Sequence, residues 1–342
     1  ADTPHIDFMS TNGCLGMVDT VPEGFSPGSD VANMGILGFD PASYYTGRGP
    51  IEAASLNVRC HDDELIFRCN LVTIDNNIMH DFTAGHISSE ESNVLIKQLN
   101  EGFSNSPIRF IAGVSYRHIM IAPSLFSSLT TIAPHDITDK DVSSYWPHGK
   151  DMLPFQDIIN KANDILKHSH INQLRADSQK SIANNIWPWS QGIYPKMESF
   201  FSKYQKTGGI ITAVDLLKGL GCLIDLKTPD IPGATGFIDT NYANKVSAAK
   251  DILNDHDFCY IHIEAPDEAG HMGDVNLKIK AIEDFDAYVV APMLDYMKDN
   301  PDSVMMVLPD HPTPCSIKTH THEPVPFCFY HSSYSSGSRL SY

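Results

Sequence analysis

Four short apolar segments most strongly limit what the second half of this chain can fold into. They read GIITAV, FCYIHIEA, SVMMVLP and PVPFCFYH, and amphipathic helical patterns lie between most of them. Near-continuous apolar strands that alternate with helices are typical of a mostly parallel sheet with helices on both faces. The sequence therefore predicts an α/β fold for this part of the chain.

Residues 57–150 carry a different pattern. A β-rich run, DELIFRCNLVTID, precedes SSEESNVLIKQLNEGF, in which a Ser-x-x-Glu capping signature opens a helical pattern, and IRFIAGVSYRHIMIAP predicts a pair of strands. These segments predict a compact α+β module. We therefore expect a discontinuous domain, 1–56 and 151–342, with a smaller α+β domain inserted at 57–150. A long helical stretch, about 152–180, is expected where the chain returns to the first domain.

The charge balance excludes some classes of partner. The 342 residues include 24 Lys and Arg against 42 Asp and Glu, a net charge of −18. Nucleic-acid and anionic membrane surfaces require clustered Lys and Arg, so neither is expected as a partner. No apolar stretch approaches the ~18 residues of a membrane span. The seven scattered cysteines form no CxxC pair and favour reduced thiols in a cytoplasmic protein, while the oligomeric state is left open.

Three clusters of residues that can bind metals follow or precede predicted strands. In sheets of this kind, ligands bind beyond the carboxyl ends of the strands. A single cluster of this kind is more often a solvated turn than a metal site, but together the three offer mixed oxygen and nitrogen ligands for two divalent ions, Mn²⁺, Zn²⁺ or Mg²⁺. The candidate ligands are Asp267, His271, Asp310, His311, His320 and the neighbouring His322.

Ser29, in SPGSDVAN, is the candidate nucleophile. It follows Gly28 and stands directly before a helical pattern, so backbone N–H groups at the helix N-terminus would face a phosphoryl oxygen there. A two-metal site usually acts on phosphate esters and needs an activated water or a protein nucleophile. The alternative is a plain turn in which Ser29 or Asp30 caps the helix.

The order of several long motifs carries a resemblance. PGSDVANMGILGFDPASYYTGRGPIEAA, FRCNLVTID, YRHIM, AVDLLKGLG, PGATGFIDTNY, EAPDEAGHMGD and LPDHPTPCSIKTHTHEPVPF occur in that order. Over nearly its whole length the chain resembles the archaeal-type cofactor-independent phosphoglycerate mutases, members of the alkaline phosphatase superfamily. Archaeal members more usually carry His at the position of Asn33, and VAN resembles a bacterial branch with proposed homoserine kinases.

The resemblance implies a fold, a reaction and a ligand set. The fold is an alkaline-phosphatase-like, mostly parallel sheet between helices, with the inserted α+β domain as a lid. Ser29 corresponds to a nucleophile that takes the phosphoryl group of 3-phosphoglycerate and returns it to give 2-phosphoglycerate, a step of glycolysis that needs no 2,3-bisphosphoglycerate. Asp267, His271 and His320 match the ligands of one ion, Mn²⁺ foremost. Asp310 and His311 match ligands of the second ion, which Ser29 also contacts, and His322 matches no ligand.

The family's remaining metal ligand is an aspartate in an Asp-Gly-Met type motif that ends the first strand. This motif is absent from the sequence, so we expect a segment before Ala1 to carry it. Without it, a metal-binding scaffold that has lost the activity is the alternative.

Four residues are candidates for binding the anionic substrate: Arg68, Arg117, His118 and Lys218. Arginine suits bidentate contacts with carboxylate or phosphate. The alternatives are a structural salt bridge for each arginine, packing in a strand for His118, and a helix C-terminal charge for Lys218.

The phosphoryl acceptor is left open between glycerate, homoserine and water. The sequence holds no Gly-x-x-x-x-Gly-Lys-Ser/Thr loop, so an ATP-dependent version of the reaction would depend on the metal centre.

Overall fold

The computed structural model describes residues 1–58 and 60–331. The chain forms two compact units, one from Ala1–Tyr45 and Met197–Tyr342, the other from Thr46–Lys196. The second unit interrupts the first in the sequence and is longer than the 57–150 expected. The reason is that a strand at 185–192 pairs with the central strand of this unit, and a helix at 48–55 packs on the same sheet.

The first unit opens with four short elements. Pro4, in the first turn, suits a helix start because its missing N–H has no partner to lose there. The elements are α1 (Pro4–Asn12), β1 (Cys14–Val18), α2 (Ser29–Ile36) and α3 (Pro41–Tyr44).

The second unit is an antiparallel sheet with helices on both faces. Its elements are α4 (Arg48–Ser55), β2 (Glu64–Asp75), β3 (Ile78–Asp81), α5 (Ser89–Gly102), β4 (Arg109–Ile111), β5 (Arg117–Pro123), α6 (Met152–Lys167), α7 (His170–Asp177) and β6 (Asn185–Gly192). The sheet order is β3-β2-β5-β4, and β6 also pairs with β2. Short 3₁₀ turns lie at Ser124–Ser128, Pro134–Ile137 and Val142–Ser144.

β2 is buried along most of its length because both of its faces are covered. Phe67 packs with Phe155 of α6 in the main core, while Ile66 on the other face packs with Ala53 of α4. The predicted capping box of α5 is present at Ser88. The helix expected at about 152–180 is divided into α6 and α7, because Ser169 caps a new helix start.

The C-terminal part of the first unit alternates helices and strands. Its elements are α8 (Phe200–Tyr204), β7 (Gly208–Ile211), α9 (Asp215–Leu223), α10 (Tyr242–Asp255), β8 (Phe258–Ile261), α11 (Ala265–Met272), α12 (Val275–Phe285), a π-helical turn (Asp286–Val290), α13 (Ala291–Asp299), β9 (Val304–Val307) and β10 (Val325–His331). The helical pattern between FCYIHIEA and SVMMVLP thus includes α12 and α13, which are joined through the π-helical turn.

The strand pairing of the first unit is mixed. β7 and β8 are parallel, whereas β10 lies antiparallel to both β1 and β9. The mixture of helices and strands agrees with the predicted α/β class. The mostly parallel sheet that was predicted for this part of the chain stays a prediction. Within residues 1–58 and 60–331, the helices are all too short or too polar to span a membrane.

Candidate active site

Asp267 and His271 lie on one face of α11, the short helix that follows β8. Residues four apart in a helix are neighbours on its surface, and Nε2 of His271 lies 3.2 Å from Oδ2 of Asp267. The helix ends at Gly273, whose φ of 72° is the left-handed conformation that favours glycine. The predicted pair is therefore presented together just beyond the end of a strand.

His320, from the loop before β10, completes a cluster of three ligands. Its Nε2 lies 2.9 Å from Nε2 of His271 and 3.4 Å from Oδ1 of Asp267. The ligand atoms of the three residues all lie within 4.8 Å of one another. Two imidazoles and a carboxylate form a donor set that fits a divalent ion such as Mn²⁺ or Zn²⁺.

Backbone carbonyls fix the ring orientation of both histidines. Nδ1 of His271 lies 3.1 Å from the carbonyl oxygen of Lys318, and Nδ1 of His320 lies 3.1 Å from that of Pro27. A carbonyl only accepts, so Nδ1–H donates in each case and Nε2 is directed at Asp267. The arrangement is the one that metal-binding histidines usually have.

The pKa shifts reflect how closely these groups are paired. Burial alone would raise the pKa of Asp267, but hydrogen bonds with His271, His320 and Thr313 hold it well below its usual range. The hydrogen bond to Asp267 raises the pKa of His271 to about 9. A divalent ion at the three ligand atoms would displace the proton of His271.

Asp310, His311 and Ser29 form a second group within the first unit. Nε2 of His311 lies 3.0 Å from Oγ of Ser29 and 3.5 Å from Oδ2 of Asp310. The side chain of His311 is fully buried, and desolvation lowers its pKa, so the ring is neutral at neutral pH. The His311 ring centroid is 3.8 Å from that of His320, so the two groups are adjacent.

Ser29 is the first residue of α2 and does not cap it. The N-cap residue is Gly28, and no side chain caps the helix there. Asp30 accepts from the N–H of Val31 and, through its other oxygen, from the hydroxyl of Tyr45, 2.6 Å away. The Ser29 hydroxyl therefore faces His311 at the positive end of the helix dipole.

Thr313 links the two groups and was not predicted from the sequence. Its hydroxyl bonds to Oδ1 of Asp267 and lies 3.3 Å from Nδ1 of His311. The residue is buried. Thr313 stands two residues after His311, which is the only signal that would have drawn attention to it.

In the second unit, Arg68 is buried against a carboxylate and an aromatic ring. Its Nε lies 2.8 Å from Oε2 of Glu52, and its guanidinium carbon lies 4.3 Å from the centre of the Trp189 ring. Arg48 binds the other oxygen of Glu52 at 2.7 Å. Burial lowers the pKa of Arg68 to about 10. For Glu52, burial opposes ionisation, but Arg68 and Arg48 outweigh it and lower the pKa.

The strand register separates the remaining candidates of this unit. Asn70 is opposite Arg117, so Arg117 shares a sheet face with Arg68. His118 is opposite Cys69 and lies on the other face, in the core, where its Nδ1 accepts from the N–H of Gly113. Burial lowers the pKa of His118 to about 3. The structure thus brings the two arginines to one face and leaves His118 packed behind them.

Lys218, in α9 of the first unit, binds a carboxylate on the surface. Its Nζ lies 2.6 Å from Oδ1 of Asp230, an almost fully exposed side chain. The exposed His322, which the sequence offers as a candidate ligand but the family motif does not match, takes no part in the three-ligand cluster.

Comparison with known proteins identifies the family. A sequence model of the 2,3-bisphosphoglycerate-independent phosphoglycerate mutases matches residues 10–172. A protein of that name from Methanosarcina barkeri is 48% identical over 333 residues, which cover 96% of this chain and 83% of the relative. A probable mutase from Geobacter sulfurreducens is 42% identical over 334 residues, covering 96% and 84%.

Solved structures show a similar fold. The PH0037 protein from Pyrococcus horikoshii has a TM-score of 0.76 at 27% identity, covering 97% of this chain and 80% of that one. A cofactor-independent phosphoglycerate mutase from Thermoplasma acidophilum shares the fold, with a TM-score of 0.62 at 24% identity and coverage of 99% and 84%. The resemblance predicted from the motifs is therefore confirmed, and the chain belongs to the 2,3-bisphosphoglycerate-independent phosphoglycerate mutase family.

Proposed function

We propose that this protein is an isomerase that interconverts 3-phosphoglycerate and 2-phosphoglycerate through a phosphoserine at Ser29. The observation that carries the proposal is the position of Ser29 Oγ, at the start of α2 and 3.0 Å from Nε2 of His311. Relatives with 42% to 48% identity bear the name of this mutase.

The proposed reaction has two transfers that balance each other. In the first, Ser29 Oγ forms a bond to phosphorus while the bond between phosphorus and the substrate's 3-oxygen breaks. Ser29 loses its hydroxyl proton, and the departing oxygen gains one. In the second, the 2-hydroxyl of the same glycerate takes the phosphoryl group, and Ser29 regains its proton. No water or second phosphate is consumed.

Two divalent ions, Mn²⁺ first and Zn²⁺ or Mg²⁺ as alternatives, are proposed at the two groups of ligands. Asp267, His271 and His320 would hold one ion, and Asp310 and His311 the other, next to Ser29. Such ions supply positive charge that stabilises the serine alkoxide and the transferred phosphoryl oxygens. The chain itself supplies orientation, through Thr313 and the carbonyls that hold the histidine rings.

Arg68, Arg117 and Lys218 are the proposed contacts for the substrate's carboxylate and phosphate. An arginine fork fits either group, and the Glu52 carboxylate holds the Arg68 fork in place. His118 is retained only as a weaker candidate, because it lies in the core on the opposite sheet face. As the resemblance implies, the second unit is proposed to act as a lid that keeps the glycerate captive and excludes water.

The finer features of the resemblance complete the proposal. They are an alkaline-phosphatase-like, mostly parallel sheet, a cytoplasmic location and a place in glycolysis. Homoserine or water as phosphoryl acceptor is an alternative that the assay below distinguishes.

The test is an enolase-coupled assay of purified protein with Mn²⁺ and 3-phosphoglycerate, together with mass spectrometry of the trapped protein. We expect turnover and a phosphate on Ser29, and we expect Ser29→Ala to abolish both. Ser26→Ala, an exposed serine of the same loop, is the matched control and should behave as wild type. Turnover of homoserine with ATP, or simple release of phosphate, in place of mutase activity would overturn the proposal.

A further inference from the structure

We propose that Asn33 is a positioning residue that holds the Asp310 carboxylate and the Ser29 end of α2 in one fixed arrangement, and that Tyr260 sets the orientation of the Asn33 amide. The inference rests on the proposed function, because the proposed function assigns Asp310 and Ser29 to the reaction. It adds two residues to the candidate site that the motifs did not assign.

The contacts of Asn33 connect both groups directly. Its side-chain nitrogen Nδ2 donates to the carbonyl oxygen of Ser29 at 2.8 Å and to Oδ2 of Asp310 at 2.9 Å. The residue has no exposed surface. Asn33 stands four positions after Ser29 on α2, so the two share a helix face. Both amide hydrogens are thus used on groups of the candidate site.

The amide has only one acceptable orientation. Ser29 O and Asp310 Oδ2 are acceptors, so an amide rotated by half a turn would place its own oxygen against both of them. The Tyr260 hydroxyl, from β8, donates to Oδ1 of Asn33 and favours the observed orientation. Burial, and next the Asp310 charge, raise the pKa of Tyr260 well above its usual range, so this donor persists.

The Asp310 carboxylate is held at both of its oxygens. Oδ1 accepts from the backbone N–H of His311 at 2.9 Å, and Oδ2 accepts from Asn33. With one lone pair of each oxygen engaged, rotation of the carboxylate is restricted. The remaining lone pairs of the carboxylate would be available to a divalent ion. Residues of this kind commonly change metal affinity by about 10- to 100-fold when they are removed.

A residue that only filled space in the core would behave differently. Leucine is close to asparagine in shape, so Asn33→Leu would keep the packing and remove every hydrogen bond of the amide. The Tyr260→Phe variant is milder, because it keeps Asn33 and removes only the group that orients it. The matched control is Asn244→Leu on α10, which removes a side-chain hydrogen bond to the carbonyl of Pro232 away from the candidate ligands.

The experiment is a Mn²⁺ titration measured by isothermal calorimetry, combined with steady-state kinetics on 3-phosphoglycerate. We expect Asn33→Leu to weaken Mn²⁺ binding at Asp310 and His311 by about 10- to 100-fold. The other Mn²⁺ binding step, at the cluster of Asp267, should be unchanged. We expect kcat to fall with little change in KM, since the ground-state contacts of the substrate are intact. Tyr260→Phe should shift the same quantities by a smaller factor, and Asn244→Leu should shift neither.

Unchanged Mn²⁺ affinities in a folded Asn33→Leu protein would overturn the inference. If Asn33→Leu does not fold, Tyr260→Phe decides by the same two measurements. If wild type binds Mn²⁺ but does not convert phosphoglycerate, the proposed function fails, while the titration still decides the role of Asn33.

Discussion

Nε2 of His271 lies 2.9 Å from Nε2 of His320, and both atoms face the carboxylate of Asp267. Each ring already donates its Nδ1 hydrogen to a backbone carbonyl. Two imidazole nitrogens at this distance repel unless a proton or a cation lies between them. A cation bound between these two nitrogens should therefore relieve the repulsion and stabilise the folded protein.

Mn²⁺ should stabilise the protein, and Asp267→Asn should remove the part of that effect that comes from the ion at Asp267, His271 and His320. An ion that binds only the folded state adds about 2.7 kcal/mol at 100 times its dissociation constant. The measurement is the free energy of unfolding with Mn²⁺ and with EDTA. Asp274→Asn is the control, because asparagine caps a helix about as well as aspartate, so the cap of α12 nearby and the full Mn²⁺ effect should both be kept. A full Mn²⁺ effect in Asp267→Asn would contradict the ligand assignment.

Glu52→Gln should destabilise the protein by about 3 kcal/mol, because it leaves Arg68 buried without its counter-charge. Urea denaturation measures the change. Glu101→Gln is the matched control, since the pair of Glu101 with Lys97 is exposed and loose, at 3.9 Å, and its loss should cost less than about 1 kcal/mol. Equal losses in the two variants would show that the buried position of Glu52 is unimportant.

Arg68→Lys should raise the KM for 3-phosphoglycerate by about tenfold with a smaller effect on kcat, because lysine cannot replace a bidentate fork. Arg117→Lys should act in the same direction. Arg109→Lys, on an exposed arginine that pairs with Glu64 on the same sheet, is the control. Initial-rate kinetics decide the matter, and an unchanged KM in both variants would leave the arginines as structural residues.

His118 should make stability fall in acid. Its folded-state pKa of about 3 lies below the ordinary value of 6.5, so the unfolded state binds more protons between those pH values. The stabilisation is complete above pH 6.5 and is lost as the pH falls toward 3, by about 1.4 kcal/mol per pH unit. His118→Gln should flatten this part of the urea-derived profile. An NMR titration in which the His118 ring protonates near pH 6.5 would contradict the prediction.

The sequence predicted the elements that depend on local pattern. The capping box at Ser88, the strand pair around Arg117 and the apolar runs of β8, β9 and β10 all follow from short-range signals. The grouping of Asp267, His271 and His320 was expected from the family resemblance, whereas the local pattern only placed each residue near a predicted strand.

Other features depend on contacts between distant parts of the chain. Thr313, Asn33 and Glu52 also bind Asp267, Asp310 and Arg68, which are distant in the sequence, and only folding brings these pairs together. β6 was not predicted from the sequence, and its pairing with β2 is what lengthens the second unit. The division between α6 and α7 depends on one serine cap within a continuous helical pattern.

Gly28 has a consequence for the phosphorylated state of Ser29. The glycine N-cap itself offers no side-chain acceptor, and the acceptor in the first turn of α2 is Asp30, which binds the N–H of Val31. A phosphoryl group on Ser29 would bring three acceptor oxygens to that position, where the helix dipole favours negative charge. In the proposed phosphoserine mechanism, we therefore expect α2 to be most regular while Ser29 carries the phosphoryl group and to loosen at its first turn when the group returns to the glycerate.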